Sequence, residues 1–180
     1  MKTFNCRFTL SVMSDRYIDI ILGSLGKTDT SAVSAATGRL STLYSGSRPD
    51  VLDAWEACFI HAFTEGVHMT AEATFFPGNA EIPDEPETLK NIASRAIHFP
   101  CNAKTEIYPL NTDCTEAQAY VRTSAERYGV LAAEEYDCAV LKGDIQDVYR
   151  CIEDIAAYAH TNLERFALQV TLSVNSPTAE

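Results

Sequence analysis

The side chains best suited to metal binding or acid–base work are four histidines, His61, His68, His98 and His160. They make no H-x-H, H-x-x-x-H or H-E-x-x-H pattern, so their spacing builds no metal site. His61 falls late in a helical apolar stripe, where a satisfied core histidine is the ordinary occupant. Six cysteines (Cys6, Cys58, Cys101, Cys114, Cys138 and Cys151) form no C-x-x-C pair and no Cys/His cluster with zinc spacing. Cys58 and Cys151 lie inside apolar stripes and read as small buried thiols. Glu134, Glu135 and Asp137 cluster at a strand and turn, an arrangement usually solvated. No G-x-S-x-G elbow, P-loop or G-x-G-x-x-G occurs. Nothing here assembles a nucleophile, a base and an oxyanion stabiliser. The expectation is a protein without catalysis, without a metal and without a resident cofactor.

Composition narrows the partners. The chain has 180 residues, 46% hydrophobic and 22% charged, the balance of a globular protein. Its formal net charge of −11 would repel phosphate backbones, which excludes a nucleic-acid partner; it suits solubility and weakly favours cationic small ligands. There is no run of 18 apolar residues, so no membrane insertion is expected. The opening "MKTFNCRFTL" has no apolar signal core, which points to the cytoplasm.

The elements that would carry any site come in a recognisable order. Cys6, Phe8, Leu10 and Val12 alternate with polar residues and predict a strand over about 4–13. Tyr17, Ile18, Ile21, Leu22 and Leu25 follow at helical spacing. Two short strand-like runs, about 31–37 and 39–45, turn at Gly38. Ser47, Pro49 and Asp50 open a helix whose apolar face includes Val51, Trp55, Cys58 and Phe59. Residues 67–76 alternate again. The order β-α-β-β-α-β is the ferredoxin-like unit.

That order then recurs 97 positions later. Leu10 answers to Ile107, Val33 to Val130, Gly46 to Gly143, Asp50 to Asp147 and Val51 to Val148. Met69, Ala71, Ala73 and Phe75 match Phe166, Leu168, Val170 and Leu172. The fold expected is therefore α+β, a tandem repeat of two ferredoxin-like (βαββαβ, ACT-like) units. Repeat 1 covers 1–76, a Pro- and acid-rich linker 77–97, and repeat 2 98–180. Each copy is small for an independent core, so the copies should pack on each other, on a partner chain, or both.

Both helices of such a unit cover one sheet face. Phe8, Leu10, Met69, Ala71 and Phe75 should point to them, leaving Arg7, Thr9, Ser11, Thr70, Glu72 and Thr74 on an open polar face. Arg7 and Glu72 are candidates for an ion pair across neighbouring strands there. The second copy carries Lys104, Glu106, Tyr108, Gln169, Thr171 and Ser173 on that face. Acylphosphatases share the fold, but their glycine-rich phosphate loop has no counterpart in "MSDRY". RNA-recognition domains share it too, but their aromatic-rich basic strand is absent.

"CRFTLSVMSDRYIDII", "TDTSAVSAATGRLSTLYSG", "AFTEGVH" and the terminal "LSVNSP" resemble the YkoF-type thiamine/hydroxymethylpyrimidine-binding proteins. "YPLN" at 108–111 and "LKGDIQDVY" at 141–149 fit the second half of that family. The resemblance spans about 5–177, with order, spacing and both repeats in agreement. It implies a homodimer that binds thiamine or its pyrimidine portion, one site per repeat, functionally linked to uptake of thiamine precursors by a transporter, or to their salvage. The positions it points to are the backbone at Leu10 and the hydroxyls of Ser41 and Thr42, with Thr9 beside them and Tyr44 or Phe76 to stack on the ring. In the second copy these become Ile107, Cys138 and Ala139. With the hydroxyls gone, that site is expected to be weaker, to take a variant ligand, or to be vestigial. An ACT-like regulatory module for another small metabolite is the alternative, and a cofactor-free enzyme of the same fold a third.

Overall fold

A computed structural model describes residues 2–82, 89–135 and 138–177. Repeat 1 runs β1 (Lys2–Val12), α1 (Tyr17–Lys27), β2 (Ser34–Thr37), β3 (Thr42–Gly46), α2 (Arg48–Ala62) and β4 (Met69–Glu81). A 3₁₀ turn at Ile92–Ala96 precedes repeat 2. Repeat 2 then runs β5 (Pro100–Pro109), α3 (Thr115–Arg127), β6 (Leu131–Glu135), β7 (Cys138–Asp144), α4 (Ile145–Asn162) and β8 (Phe166–Val174). The two ferredoxin-like units are as the periodicity predicted. One boundary moves: β4 continues through Glu81, so residues 77–81, given to the linker by composition, are strand. Lys2 and Phe4 of β1 pair with Glu81 and Pro77, which extends the ladder past the alternating stretch.

All strands join in one eight-stranded sheet of order β2-β3-β1-β4-β8-β5-β7-β6. The order is a palindrome of the two repeats, welded by antiparallel pairing of β4 with β8. The weld has a centre: Ala73 faces Val170, its own counterpart at the offset of 97. The same offset carries the β1–β3 register (Phe4↔Gly46) onto the β5–β7 register (Cys101↔Gly143). It also carries Phe8↔Ala73 onto Thr105↔Val170. Identical register means that corresponding residues in the two repeats occupy corresponding places in space.

The core lies between the helices and one sheet face, where Phe4, Cys6, Phe8, Met69, Phe75, Leu168 and Leu172 are buried. The opposite face is polar, as alternation requires. Arg7 does not reach Glu72 there: it lies over the Phe76 ring, 5.4 Å from its centroid, while Glu72 stands opposite Thr9. Arg7 pairs across the strands with Thr74, so Glu72 is only its diagonal neighbour.

Helix starts repeat as well. Ser47 Oγ accepts from Asp50 N at 3.3 Å, and Asp144, 97 positions on, accepts from Gln146 N at 2.9 Å. α2 is buried from Val51 to Ile60, including Asp53 and Glu56 on its outer side. The segment between repeats covers that side. Asp53 Oδ2 accepts from Lys90 N, Asn91 N and Asn91 Nδ2 at 2.9–3.0 Å. Trp55 and Tyr149 meet edge-on, 5.6 Å between centroids, where α2 packs on α4.

Candidate functional site

In each repeat, the first strand outruns its neighbour. The β1–β3 ladder stops at Phe8↔Thr42, whereas β1 stays paired to β4 as far as Val12. On the β3 side, residues 9–12 therefore have no strand partner, and main-chain donors and acceptors are left over. In repeat 2 the β5–β7 ladder stops at Thr105↔Ala139, while β5 continues beside β8 to Pro109. A cavity opens at each strand end, roofed by the first helix of the repeat.

The repeat-1 cavity measures about 180 Å³. Phe8, Leu10, Ile21, Leu25 and Cys58 form its apolar wall, and Thr37, Gly38, Leu40, Ser41 and Thr42 its rim. The rim is tied down: Gly38 N donates to Ser41 O at 2.9 Å, and the Thr9 hydroxyl donates to Leu40 O at 3.1 Å. Thr37 Oγ1 and Thr42 Oγ1 lie 3.2 Å apart and share a hydrogen bond. Of the residues singled out from the sequence, Thr9, Leu10, Ser41 and Thr42 meet here. Tyr44 does not line the cavity. It stands behind Phe8, 5.0 Å between centroids, with its hydroxyl buried and unpartnered. Phe76 is on the open sheet face under Arg7, too far round the sheet to stack on a cavity ligand.

The repeat-2 cavity is larger, about 480 Å³, and eight of its ten lining residues stand 97 positions after residues that line the first. Ile107 replaces Leu10, Gln118 replaces Ile21, Arg122 replaces Leu25, Glu134 replaces Thr37, and Ala139 replaces Thr42. The decisive exchange is Phe8 for Thr105. Where the first cavity has a phenyl ring, the second has a smaller, polar side chain. Thr105 is 1% exposed, and its Oγ1 has no hydrogen-bond partner. Sequence reasoning passed over Thr105, although the signal was present: it is the one hydroxyl among Cys101, Ala103 and Ile107 on the apolar face of β5. Glu134 is exposed, as its cluster suggested, and it is also ion-paired. Arg122 Nε lies 3.1 Å from Glu134 Oε1 and 3.1 Å from Glu126 Oε1. Glu135 is exposed, and Asp137 lies outside the described residues.

The electrostatics supply no reactive group at either cavity. Burial leaves the Cys58 thiol above its usual range, with the contact to Ser24 Oγ at 3.6 Å acting against it. Burial pushes Cys101 up to about 12 and Cys151 up to about 11, and it raises Cys138 and Cys6 as well. These are thiols at neutral pH, not nucleophilic thiolates. Glu106 lines the second cavity through the strand, but its carboxylate accepts from Tyr108 Oη and lies 2.9 Å from Lys104 Nζ. The Tyr108 hydrogen bond first, then Lys104, holds it below the usual carboxylate range. Among the described residues, no group of three or more His, Cys, Asp or Glu side chains has metal-holding geometry.

The family model of the YKOF-related family matches residues 3–79 and again 101–179, once on each repeat. The chain belongs to the YKOF-related family. A relative in Bacillus subtilis (strain 168), described as "Putative HMP/thiamine-binding protein YkoF", is 28% identical over 96% of this chain and 90% of its own length. The double match falls on the two halves of the palindromic sheet, so each matched segment is one βαββαβ repeat. The strand-end cavities are thus a shared feature of both family segments in this chain.

Proposed function

We propose that this chain binds thiamine or its hydroxymethylpyrimidine portion without making or breaking a bond, at one site in each repeat. The observation that carries the reading is the pair of cavities at matched strand ends, the first walled by apolar side chains and the second by apolar and polar ones, each edged by main chain beyond the end of a ladder. A flat aminopyrimidine needs that combination. Its faces want apolar contact, and its ring nitrogens and exocyclic amine want partners, because an unpaired buried polar edge costs about 1–3 kcal/mol. Leu10 and Ile107 supply main chain in the two sites; Ser41 and Thr42 supply hydroxyls in the first. The relative's printed name supports a binding role. The thiols at both sites are held protonated, which favours binding over nucleophilic chemistry.

Around that site the reading extends to a cytoplasmic homodimer that carries, buffers or senses thiamine precursors in step with a transporter or salvage route. No helix among the described residues is long and apolar enough to cross a membrane. Titration calorimetry with thiamine and with free hydroxymethylpyrimidine tests the core statement. We expect heat from both, and up to two equivalents per chain. Thr42→Ala removes a repeat-1 hydroxyl and should weaken that class of sites about tenfold, the equivalent of ~1.4 kcal/mol, while leaving the other class unchanged. Absence of heat with thiamine, its phosphates and the free pyrimidine would sink the proposal.

A further inference from the structure

The inner end of the repeat-2 cavity holds a polar group with nothing to bond. Thr105 sits on the helix-facing side of β5, 1% exposed, with Oγ1 unpartnered and the cavity in front of it. A buried hydroxyl in that state destabilises the empty protein, and a polar ligand edge is what would answer it. Its counterpart in repeat 1 is Phe8, packed against Tyr44, so no such demand exists there. The mouths differ too. In repeat 1, Leu25 and Leu40 border the opening. In repeat 2, Arg122 and Glu134 border the cavity; Arg122 stands between Glu134 and Glu126, each 3.1 Å away, a trio with one net negative charge.

We infer that Thr105 is the polar anchor of the repeat-2 cavity, hydrogen-bonding the edge of an aminopyrimidine-class ring, and that the mouth selects unphosphorylated ligands over their phosphate esters. The inference rests on the binding function proposed above and names the ligand class of one of its two sites. The volume agrees: at about 480 Å³ this cavity falls within the range of small-molecule pockets and is the roomier of the two. The ring enters past Gln118 and Val121, meets Thr105 at the far end, and leaves its tail beside Glu134. An uncharged or cationic tail is accepted there; a phosphate is repelled.

The two cavities can be read separately in the full chain. Isoleucine methyl labelling gives Ile107 as a reporter of repeat 2 and Ile21 as a reporter of repeat 1. Thiamine, free hydroxymethylpyrimidine and thiamine diphosphate are titrated in turn. We expect Ile107 to respond to thiamine at a concentration about tenfold lower than to the diphosphate in low salt, the gap narrowing as salt is added. Thr105→Val should weaken the Ile107 response about tenfold and leave Ile21 unchanged. Thr105→Ser should restore it, and Thr105→Ala should reproduce the loss. Without ligand, Thr105→Val should melt at a higher temperature than the parent, since its unpaired hydroxyl is gone. An Ile107 response unaltered in both Thr105→Val and Thr105→Ala would overturn the anchor, and equal affinity for the diphosphate would overturn the selectivity. If neither isoleucine responds to any of the three ligands, the binding function falls, and this inference with it.

Discussion

Glu56 and Glu153 occupy the same position of the two repeats, and Arg95 lies between them. Its Nη2 is 2.8 Å from Glu153 Oε1 and 3.6 Å from Glu56 Oε2. One cation answers two carboxylates, and Glu56 is the worse served: it is 4% exposed, and its Oε1 has no hydrogen-bond partner. Burial, then the charge of Glu153, raises its carboxyl well above the usual range, with Arg95 opposing. An acid whose pKa is raised on folding takes up a proton when the chain folds. Its contribution to stability is therefore greatest below the unfolded value near 4.5 and declines as pH rises through the folded value. Glu56→Gln should match the parent in urea midpoint near pH 4 and exceed it at pH 7–8 by about 1 kcal/mol or more, the scale of a one-unit pKa shift. An equal midpoint at both pH values would show that the carboxylate is satisfied in solution.

At the scale of elements, the repeated glycine explains why "YSG" and "LKG" stand 97 positions apart. Gly46 ends β3 and Gly143 is the last residue but one of β7, beside Val33 and Val130, themselves a matched pair. A Cβ on Gly143 would lie 3.0 Å from Val130 Cγ1, and one on Gly46 would lie 3.3 Å from Ala32 O. The requirement is for close approach, since neither glycine has a positive φ. Gly143→Ala should destabilise the protein by about 1–3 kcal/mol, as overpacking does, and Val130→Ala in the same chain should recover part of the loss. Denaturant unfolding of the single and double variants checks both. The strand-end cavities belong to this scale too. They exist because the third strand of each repeat starts late, a pairing length that no side chain announces.

The whole molecule is a fused pair. β4 and β8 are edge strands of their own repeats and become central only by pairing with each other. Repeat 1 alone would expose the length of β4 as an open edge, together with the α2 surface that Tyr149 and the connecting segment cover. We expect residues 1–82, expressed alone, to self-associate through that edge in place of repeat 2. Sedimentation showing a folded monodisperse monomer would contradict this account of the weld.

The sequence by itself determined the local order of elements, the duplication and its offset. Each rests on short-range chemistry: period-two alternation, a cap at Ser47, and matched apolar faces on β4 and β8. The register of the β1–β3 and β5–β7 ladders follows that offset, because a duplicated chain repeats its pairings, while β6 departs from β2 by a bulge between Leu131 and Ala133. Part of the candidate cavity's lining was legible in the same way, since Leu10 lies on β1 two residues past Phe8, which pairs with Thr42, the neighbour of Ser41. The tertiary structure alone decided the rest. The place of Tyr44 behind Phe8, the burial of Glu56 beneath Arg95, and the larger cavity lined by Thr105 depend on which distant side chains fill which space. Periodicity says which face a residue takes; only packing between elements far apart in the chain says whether that face is full.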